Sequence, residues 1–305
     1  MSQLIQMRQR IRAIETIKKI THAMQLISMS LHTRLRKQAV SRDAYQYNLL
    51  NMLQITGFHE DQSTNQHAES TIISNKQLLI IIGAQKGLCG NFDTELLRFI
   101  DHDLALNLIS TSININTNLI SYDIICVGSK KIAQELRKRN LNLIQEFSNL
   151  KISSLAQISL KIFNFISLNQ HNYQAINSYS NQSETFFLNQ PIKTQIYPIA
   201  TKQNKTKKTA AAIITPETAL IDHSDEYLWA VAPQELYHYL LNRYLSYIVQ
   251  SILFESLLAE QAARFRSMDA ANRNASDLLE ASYRDYNKLR QYKITKELIE
   301  LSAAF

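Results

Sequence analysis

Neither glycine nor proline occurs in the first 56 residues or in the last 72. The residues that most often end or kink helices are confined to the middle of the chain, which holds all five glycines and all four prolines. A sandwich or barrel needs turn residues roughly every 8–12 positions. Neither end can supply them, so the chain is selected for two long helical arms around a central segment of different texture.

Hydrophobic spacing agrees. Alternating steps of 3 and 4 from Met7 visit Met7, Arg10, Ile14, Ile17, Thr21, Met24, Ser28, Leu31, Leu35, Gln38, Arg42, Tyr45, Leu49 and Met52. Nine of these fourteen are apolar, which marks a narrow coiled-coil seam rather than a broad core face. Gly57 is placed to cap this helix. After Pro233, steps of 4 and 3 from Leu240 visit Tyr244, Tyr247, Ser251, Phe254, Leu258, Gln261, Phe265, Met268, Asn272, Ala275, Leu279, Ser282, Tyr286 and Leu289. Helices over 1–57 and 234–305 would reach about 80 Å and about 100 Å, far beyond the ~30 Å that a domain of this size needs. The chain leaves through one and returns through the other. An antiparallel coiled coil is therefore expected, the longer helix projecting about 20 Å past its partner.

The central segment, 58–233, reads as an α/β domain. Residues 76–83 (KQLLIIIG) and 122–128 (YDIICVG) are apolar runs closed by glycine, each followed by a helical stretch, 94–108 and 129–140. A helix over 154–168 and a strand near 173–179 follow. Repeated strand and helix with apolar strands imply a mainly parallel, Rossmann-like sheet. Residues 182–198 suit an edge hairpin, 201–208 (TKQNKTKK) an exposed loop, and 60–70 and 110–118 polar insertions.

The formal net charge of +7 is concentrated at one end. Residues 1–43 hold Arg8, Arg10, Arg12, Lys18, Lys19, Arg34, Arg36, Lys37 and Arg42 against Glu15 and Asp43, and the remainder balances. Such a helix suits a solvated face, a nucleic acid, an anionic membrane surface or an acidic protein partner. No aromatic platform, RNP-type motif or zinc finger accompanies the charge, so nucleic acid is the weakest of the specific readings.

Chemistry is sparse. Gly83, Gly87 and Gly90 lie between a strand and a helix, where phosphate-binding loops occur. Leu88 follows Gly87 where Lys-Ser or Lys-Thr would be needed, and no two glycines are one residue apart, so a structural turn is favoured over a nucleotide site. Cys89 and Cys126 form no CxxC pair, and neither HExxH nor GxSxG occurs. Asp101 and Asp103, flanking His102, read as a solvated helix face. No catalytic, cofactor-binding or metal-binding residue is expected. There is no apolar run of the ~18 residues that a membrane span requires. The N-terminus has no apolar signal core, which suits an unprocessed chain facing the cytosol.

Four local motifs, in order along the chain, resemble the gamma subunit of F-type ATP synthase over essentially its full length. Residues 8–24 (RQRIRAIETIKKITHAM) are similar to that family's opening helix with its ITKAM core, and 87–93 (GLCGNFD) to its GLCGGLN. Residues 260–275 (EQAARFRSMDAANRNA) resemble SEQAARMVAM…ATDNA, and 286–300 (YNKLRQYKITKELIE) resemble YNKARQ…ITxE. His22 replaces the family's lysine, Asn91-Phe92-Asp93 its second Gly-Leu-Asn, and Ala304 and Phe305 its terminal Gly-Ala. The close cysteine pair of the chloroplast type is missing.

The resemblance implies a rotor. One copy of the coiled coil would stand inside the ring of alpha and beta subunits, and the α/β foot would bind the c-ring and the epsilon subunit. ATP chemistry would reside on beta, so this chain would be non-catalytic and need no cofactor. It would sit peripherally on the cytoplasmic side of a bacterial inner membrane. Arg8, Arg10, Lys18, Lys19, Arg34 and Arg36 would attract acidic bearing loops without bidentate locks. Thr295 and Glu297 match the ITxE positions that the family places against beta, with Arg290 one turn earlier. Met24 matches the rotor–stator boundary, although seam packing would explain it equally. Gly87, Leu88, Cys89 and Gly90 would shape the foot loop. Two rivals remain: a nucleotide-dependent oxidoreductase, which leaves the arms unexplained, and a structural or nucleic-acid-binding coiled coil, which leaves the motifs unexplained.

Overall fold

The computed structural model describes residues 2–56, 76–113, 121–139, 141–198 and 230–303. The expectations for Gly57, for 60–70, for the 114–118 part of the 110–118 insertion and for 201–208 lie outside these residues, whereas 110–113 of that insertion is helical. In chain order the elements are α1 (Ser2–Ile55), β1 (Lys76–Ile82), α2 (Phe92–Ile113), β2 (Ser121–Val127), α3 (Lys130–Lys138), β3 (Asn142–Phe147), α4 (Leu155–Asn169), β4 (Ala175–Thr185), β5 (Leu188–Tyr197) and α5 (Pro233–Ala303). Both arms are single helices, of 54 and 71 residues. Pro233 is the first helical residue of α5, where its missing N–H costs no hydrogen bond.

The five strands lie in the order β3-β2-β1-β4-β5. The first four are parallel and β5 is antiparallel to β4, giving the mainly parallel sheet that the alternating pattern implied. Two details differ from the sequence reading. Residues 142–147 form an unanticipated edge strand; most of its side chains are exposed, so it lacks the apolar run that betrays a central strand. The strand at 173–179 and the hairpin at 182–198 are one structure, in which β4 continues to Thr185 and returns as β5 after Phe186 and Phe187.

Strand alternation divides the core. Leu78, Ile80 and Ile82 face one side with Ile125 and Val127, packed by Leu155, Ile158, Ile162 and Ile166 of α4 and by Leu245, Val249, Leu253 and Leu257 of α5. Leu79, Ile81, Ile124 and Cys126 face the other, packed by Leu96 and Ile100 of α2 and by Ile132 and Leu136 of α3. Burial on both faces is the requirement of a parallel sheet.

By packing, the chain forms two units. One comprises Met1–Arg34, Gly87–Gly90 and Glu260–Phe305; the other comprises Leu35–Lys86 and Asn91–Ala259. In the first, Arg8 Nε donates to the Tyr286 hydroxyl at 2.8 Å, the Tyr283 hydroxyl to Glu15 at 2.6 Å, and Gln25 Nε2 to Asp269 at 2.9 Å. Numbers rise along α1 as they fall along α5, so the helices run antiparallel. The second unit repeats this direction: Arg243 Nε donates to the Tyr45 hydroxyl at 3.1 Å and the Tyr247 hydroxyl to the Arg42 carbonyl at 2.7 Å.

Every expected seam position of α5 from Leu240 to Leu289 is buried or half-buried. On α1 one of the two rows moves. Ile14, Thr21, Ser28, Leu35, Arg42 and Leu49 belong to the seam as expected, but the alternate row is Ile11, Lys18, Gln25, His32, Ala39, Gln46 and Leu53. Each lies one residue beyond the position that hydrophobicity selects. Arg10, Ile17, Gln38, Tyr45 and Met52 are exposed, whereas Met24 and Leu31 are half-buried.

Candidate functional site

The glycine loop after β1 is built from close backbone approaches. A Cβ on Gly83 would stand 2.4 Å from Ile132 Cδ1 and 2.7 Å from Ser129 Cβ. Gly128 has φ +91°, and a Cβ there would meet the Gly83 carbonyl oxygen at 2.4 Å. Side chains are thus excluded where the ends of β1 and β2 meet. Asp93, at the start of α2, closes the turn: its carboxylate accepts the Ala84 N–H at 2.8 Å and the Ser129 hydroxyl at 2.7 Å. Ser129 in turn caps α3 by accepting the Ile132 N–H at 3.3 Å. Donors that a phosphate would use are held by a carboxylate of the chain itself, which would also repel it. The turn is an internal latch.

The following residues belong to the first unit. Leu88 and Gly90 have φ of 68° and 63°, Leu88 is exposed, and Cys89 is buried with its thiol directed at the Gly87 carbonyl, 3.6 Å away. A Cβ on Gly90 would lie 3.9 Å from that of Ser267 on α5, and one on Gly87 would meet nothing. Positive φ, rather than crowding, accounts for glycine at position 90.

Asp103 departs from the solvated-face reading. Tyr179 of β4 donates to it at 2.6 Å and Lys193 of β5 at 2.8 Å, tying the hairpin to α2. Burial first, and this carboxylate second, hold the Tyr179 phenol well above its usual titration range. Asp101 likewise pairs with Arg139.

The first 34 residues of α1 present three faces. One is the seam. At about 100° per residue, Ile17, Ile20, Met24, Ile27 and Leu31 form a second apolar row about a quarter turn away. Ile17, Ile20 and Ile27 are 53%, 54% and 59% exposed, so this row is largely uncovered within the chain. On the opposite flank lie Arg8, Arg12 and Lys19, all exposed. Arg8 is held by Tyr286, whose ring also lies 5.5 Å from its Cζ; Lys18 is half-buried in the seam; and Arg10, Arg34 and Arg36 are exposed. Among the described residues none of these basic side chains pairs with a carboxylate. The sequence reading singled out the charges and assigned Ile17 to the seam, missing Ile20 and Ile27. The recoverable signal was a second row with the same 3-and-4 spacing.

At the other end of the unit, Arg290, Thr295 and Glu297 are exposed. Thr295 donates to the Gln291 carbonyl at 3.0 Å, and Glu297 lies 3.6 Å from Lys293 Nζ. Tyr292, Leu298, Ile299 and Leu301 are each at least 60% exposed. Residues 294–303 are exposed throughout, an overhang of about 15 Å.

A gamma chain of ATP synthase from Chlorobium phaeobacteroides is 27% identical over 305 residues, spanning 99% of this chain and 97% of the relative. One from Buchnera aphidicola is 27% identical over 308 residues, spanning 97% and 95%. The family model described as ATP synthase matches residues 3–305. The chain belongs to the ATP synthase gamma family. Its fold agrees with this membership. The Euglena gracilis mitochondrial ATP synthase, in the structure of its OSCP, F1 and c-ring, contains a chain that superposes with a TM-score of 0.64 at 16% identity, covering 99% of this chain and 93% of that one. A chain of the rotor of the same organism's enzyme gives 0.63 at 14% identity, covering 96% and 99%.

Proposed function

We propose that the chain is the non-catalytic central-stalk rotor of ATP synthase. Its segments 1–57 and 234–305 form the shaft and 58–233 the foot. The shaft turns within the alpha and beta subunits, which carry the ATP chemistry, while the foot engages the c-ring and the epsilon subunit. The assembly is peripheral, on the cytoplasmic face of a bacterial inner membrane. Rotation presents different faces of one asymmetric shaft to each beta subunit in turn. Coupling requires such differential contact between conformational states.

The observation that carries this reading is the three-faced first unit of α1. An apolar row left uncovered by its own chain marks a surface that a partner covers. Apolar contact is non-directional and permits sliding, and unpaired basic groups add long-range attraction without locking the register. Arg8, Arg10, Lys18, Lys19, Met24, Arg34, Arg36, Arg290, Thr295 and Glu297 are assigned to the bearing. Gly87, Leu88, Cys89 and Gly90 are assigned to shaping the loop.

Affinity purification of the tagged chain is expected to recover alpha, beta and epsilon subunits with membrane-bound ATPase activity; their absence sinks the rotor reading. Within the recovered complex, Lys18→Glu with Lys19→Glu is expected to lower proton pumping per ATP hydrolysed. Unchanged pumping and hydrolysis would remove these two residues from the bearing.

A further inference from the structure

In the second unit a cavity of about 300 Å³ opens between α1 and α5. This is the lower end of the usual range for small-ligand sites, roughly 300–1,000 Å³. Ser41, Arg42 and Tyr45 line it from α1, and Arg243, Ser246 and Gln250 from α5. The Tyr45 and Tyr247 rings, 5.1 Å apart, form part of its wall.

No carboxylate of the described residues lines it. The Arg42 Nη1 is shut off from solvent without a hydrogen-bond partner, and the guanidinium carbon lies 4.2 Å from the Phe254 ring centroid. Arg243 uses its Nε on the Tyr45 hydroxyl. Among the described residues neither guanidinium pairs with a carboxylate. The acids whose fields reach Tyr247 are Asp43 and Glu255; neither lines the cavity, and Glu255 accepts from Gln182. Arg42 is half-buried, and a partly desolvated cation is costly unless an anion accompanies it.

The donor set selects the anion. Two guanidiniums, two serine hydroxyls and one carboxamide suit a doubly charged group with three or more oxygens, whereas a carboxylate, with one charge and two oxygens, would leave one arginine unmatched. We propose that this cavity binds a phosphate-class oxyanion, supplied as free phosphate or as a phosphate monoester headgroup. The site is independent of the rotor reading and would be tested without any partner subunit.

Calorimetric titration of the full chain with inorganic phosphate is the first arm. Cosedimentation with vesicles of phosphatidic acid in phosphatidylcholine, against phosphatidylcholine alone, is the second. Binding is expected in at least one arm, weakened about tenfold or more by Arg243→Gln and by Arg42→Gln. Arg284→Gln, which removes an exposed guanidinium paired with Glu280, is expected to leave binding intact. Arg243 is exposed, so its variant should keep the circular dichroism of the parent chain and is the deciding one. Saturable phosphate binding without vesicle association identifies the free anion. Association with the anionic vesicles that phosphate competes away identifies the ester. No binding in either arm, or losses equal in Arg243→Gln and Arg284→Gln, overturns the proposal.

Discussion

The same two helices build two unlike interiors. In the second unit α5 presents Leu245, Val249, Leu253, Phe254 and Leu257 to the sheet, and Leu49 and Leu53 of α1 pack with Leu240, Tyr244 and Tyr247. In the first unit the buried positions are mostly small or polar: Thr21, Ser28, His32, Glu260, Gln261, Arg264 and Ser282, with Ile11, Ile14, Met268 and Ala275 among them. Apolar burial contributes about 25 cal/mol per Å², so the second unit holds most of the driving force. Several polar groups of the first are satisfied along their own helix, whereas His32 Nε2, Arg266 Nε and Asn272 Oδ1 are buried atoms that make no hydrogen bond among the described residues. Thr21 donates to the Lys18 carbonyl, Ser282 to the Leu278 carbonyl, and Arg264 pairs with Glu260 one turn away and with Gln261. A helix pair can thus be continuous in backbone yet unequal in cohesion, its sheet-packed length anchored by apolar bulk.

The largest test of this contrast is the buried ion pair. Arg264 and Glu260 side chains are 7% and 2% exposed, so Arg264→Met takes the ion-pair partner from a buried carboxylate and should cost about 3–5 kcal/mol. Adding Glu260→Leu should recover most of that loss, because replacing both members of a buried pair is often neutral or better. A single variant as stable as the parent in urea would mean that water reaches the pair. Next, Leu78→Ala removes a side chain with no exposure from the sheet core and should cost about 3 kcal/mol through transfer and cavity terms. If its denaturation midpoint stays close to that of the parent chain, the second unit does not hold most of the driving force.

What could be read from the sequence follows the same division. The strands 76–82 and 121–127 were visible because a parallel sheet buried on both faces demands an unbroken apolar run. Strand 142–147 was not visible, since an exposed edge makes no such demand. The seam of α5 was read correctly because its apolar residues are also its buried ones. On α1 the more apolar residue of an adjacent pair can face outward, Ile17 rather than Lys18 and Tyr45 rather than Gln46, and Leu31 is only half-buried where His32 is buried. Hydrophobicity alone therefore chose the wrong row. That error is informative, because an apolar residue beside the seam suggests covering by something outside the chain. The candidate charges were evident from composition, but whether a given one faces outward, as Arg10 does, or enters the seam, as Lys18 does, depends on a phase shift of one residue. The loop's latch was hidden for another reason: Asp93 and Ser129 are 36 residues apart in the chain, and only the sheet brings them together.

The smallest expected effect is the sharpest for the polar interior. Ser282 is 4% exposed, and its hydroxyl donates to the Leu278 carbonyl at 2.7 Å, four residues back on its own helix. Such a bond bridges no second helix, and the carbonyl can keep its backbone partner when the hydroxyl is removed. Ser282→Ala therefore loses about 0.5–1.5 kcal/mol of hydrogen bonding and regains part of it through alanine's higher helix propensity and the burial of a methyl without its hydroxyl. The net change should be within about 0.5 kcal/mol, read as a nearly unchanged urea midpoint. The corresponding change on the partner helix, Thr21→Ala, also deletes a hydroxyl satisfied within its own helix, the Lys18 carbonyl being 3.0 Å away. It should cost somewhat more, because a methyl is lost from the seam as well. If either variant lost about 2 kcal/mol or more, the seam hydroxyls would have to be joining the two helices, and the first unit would be as firmly bolted as the second.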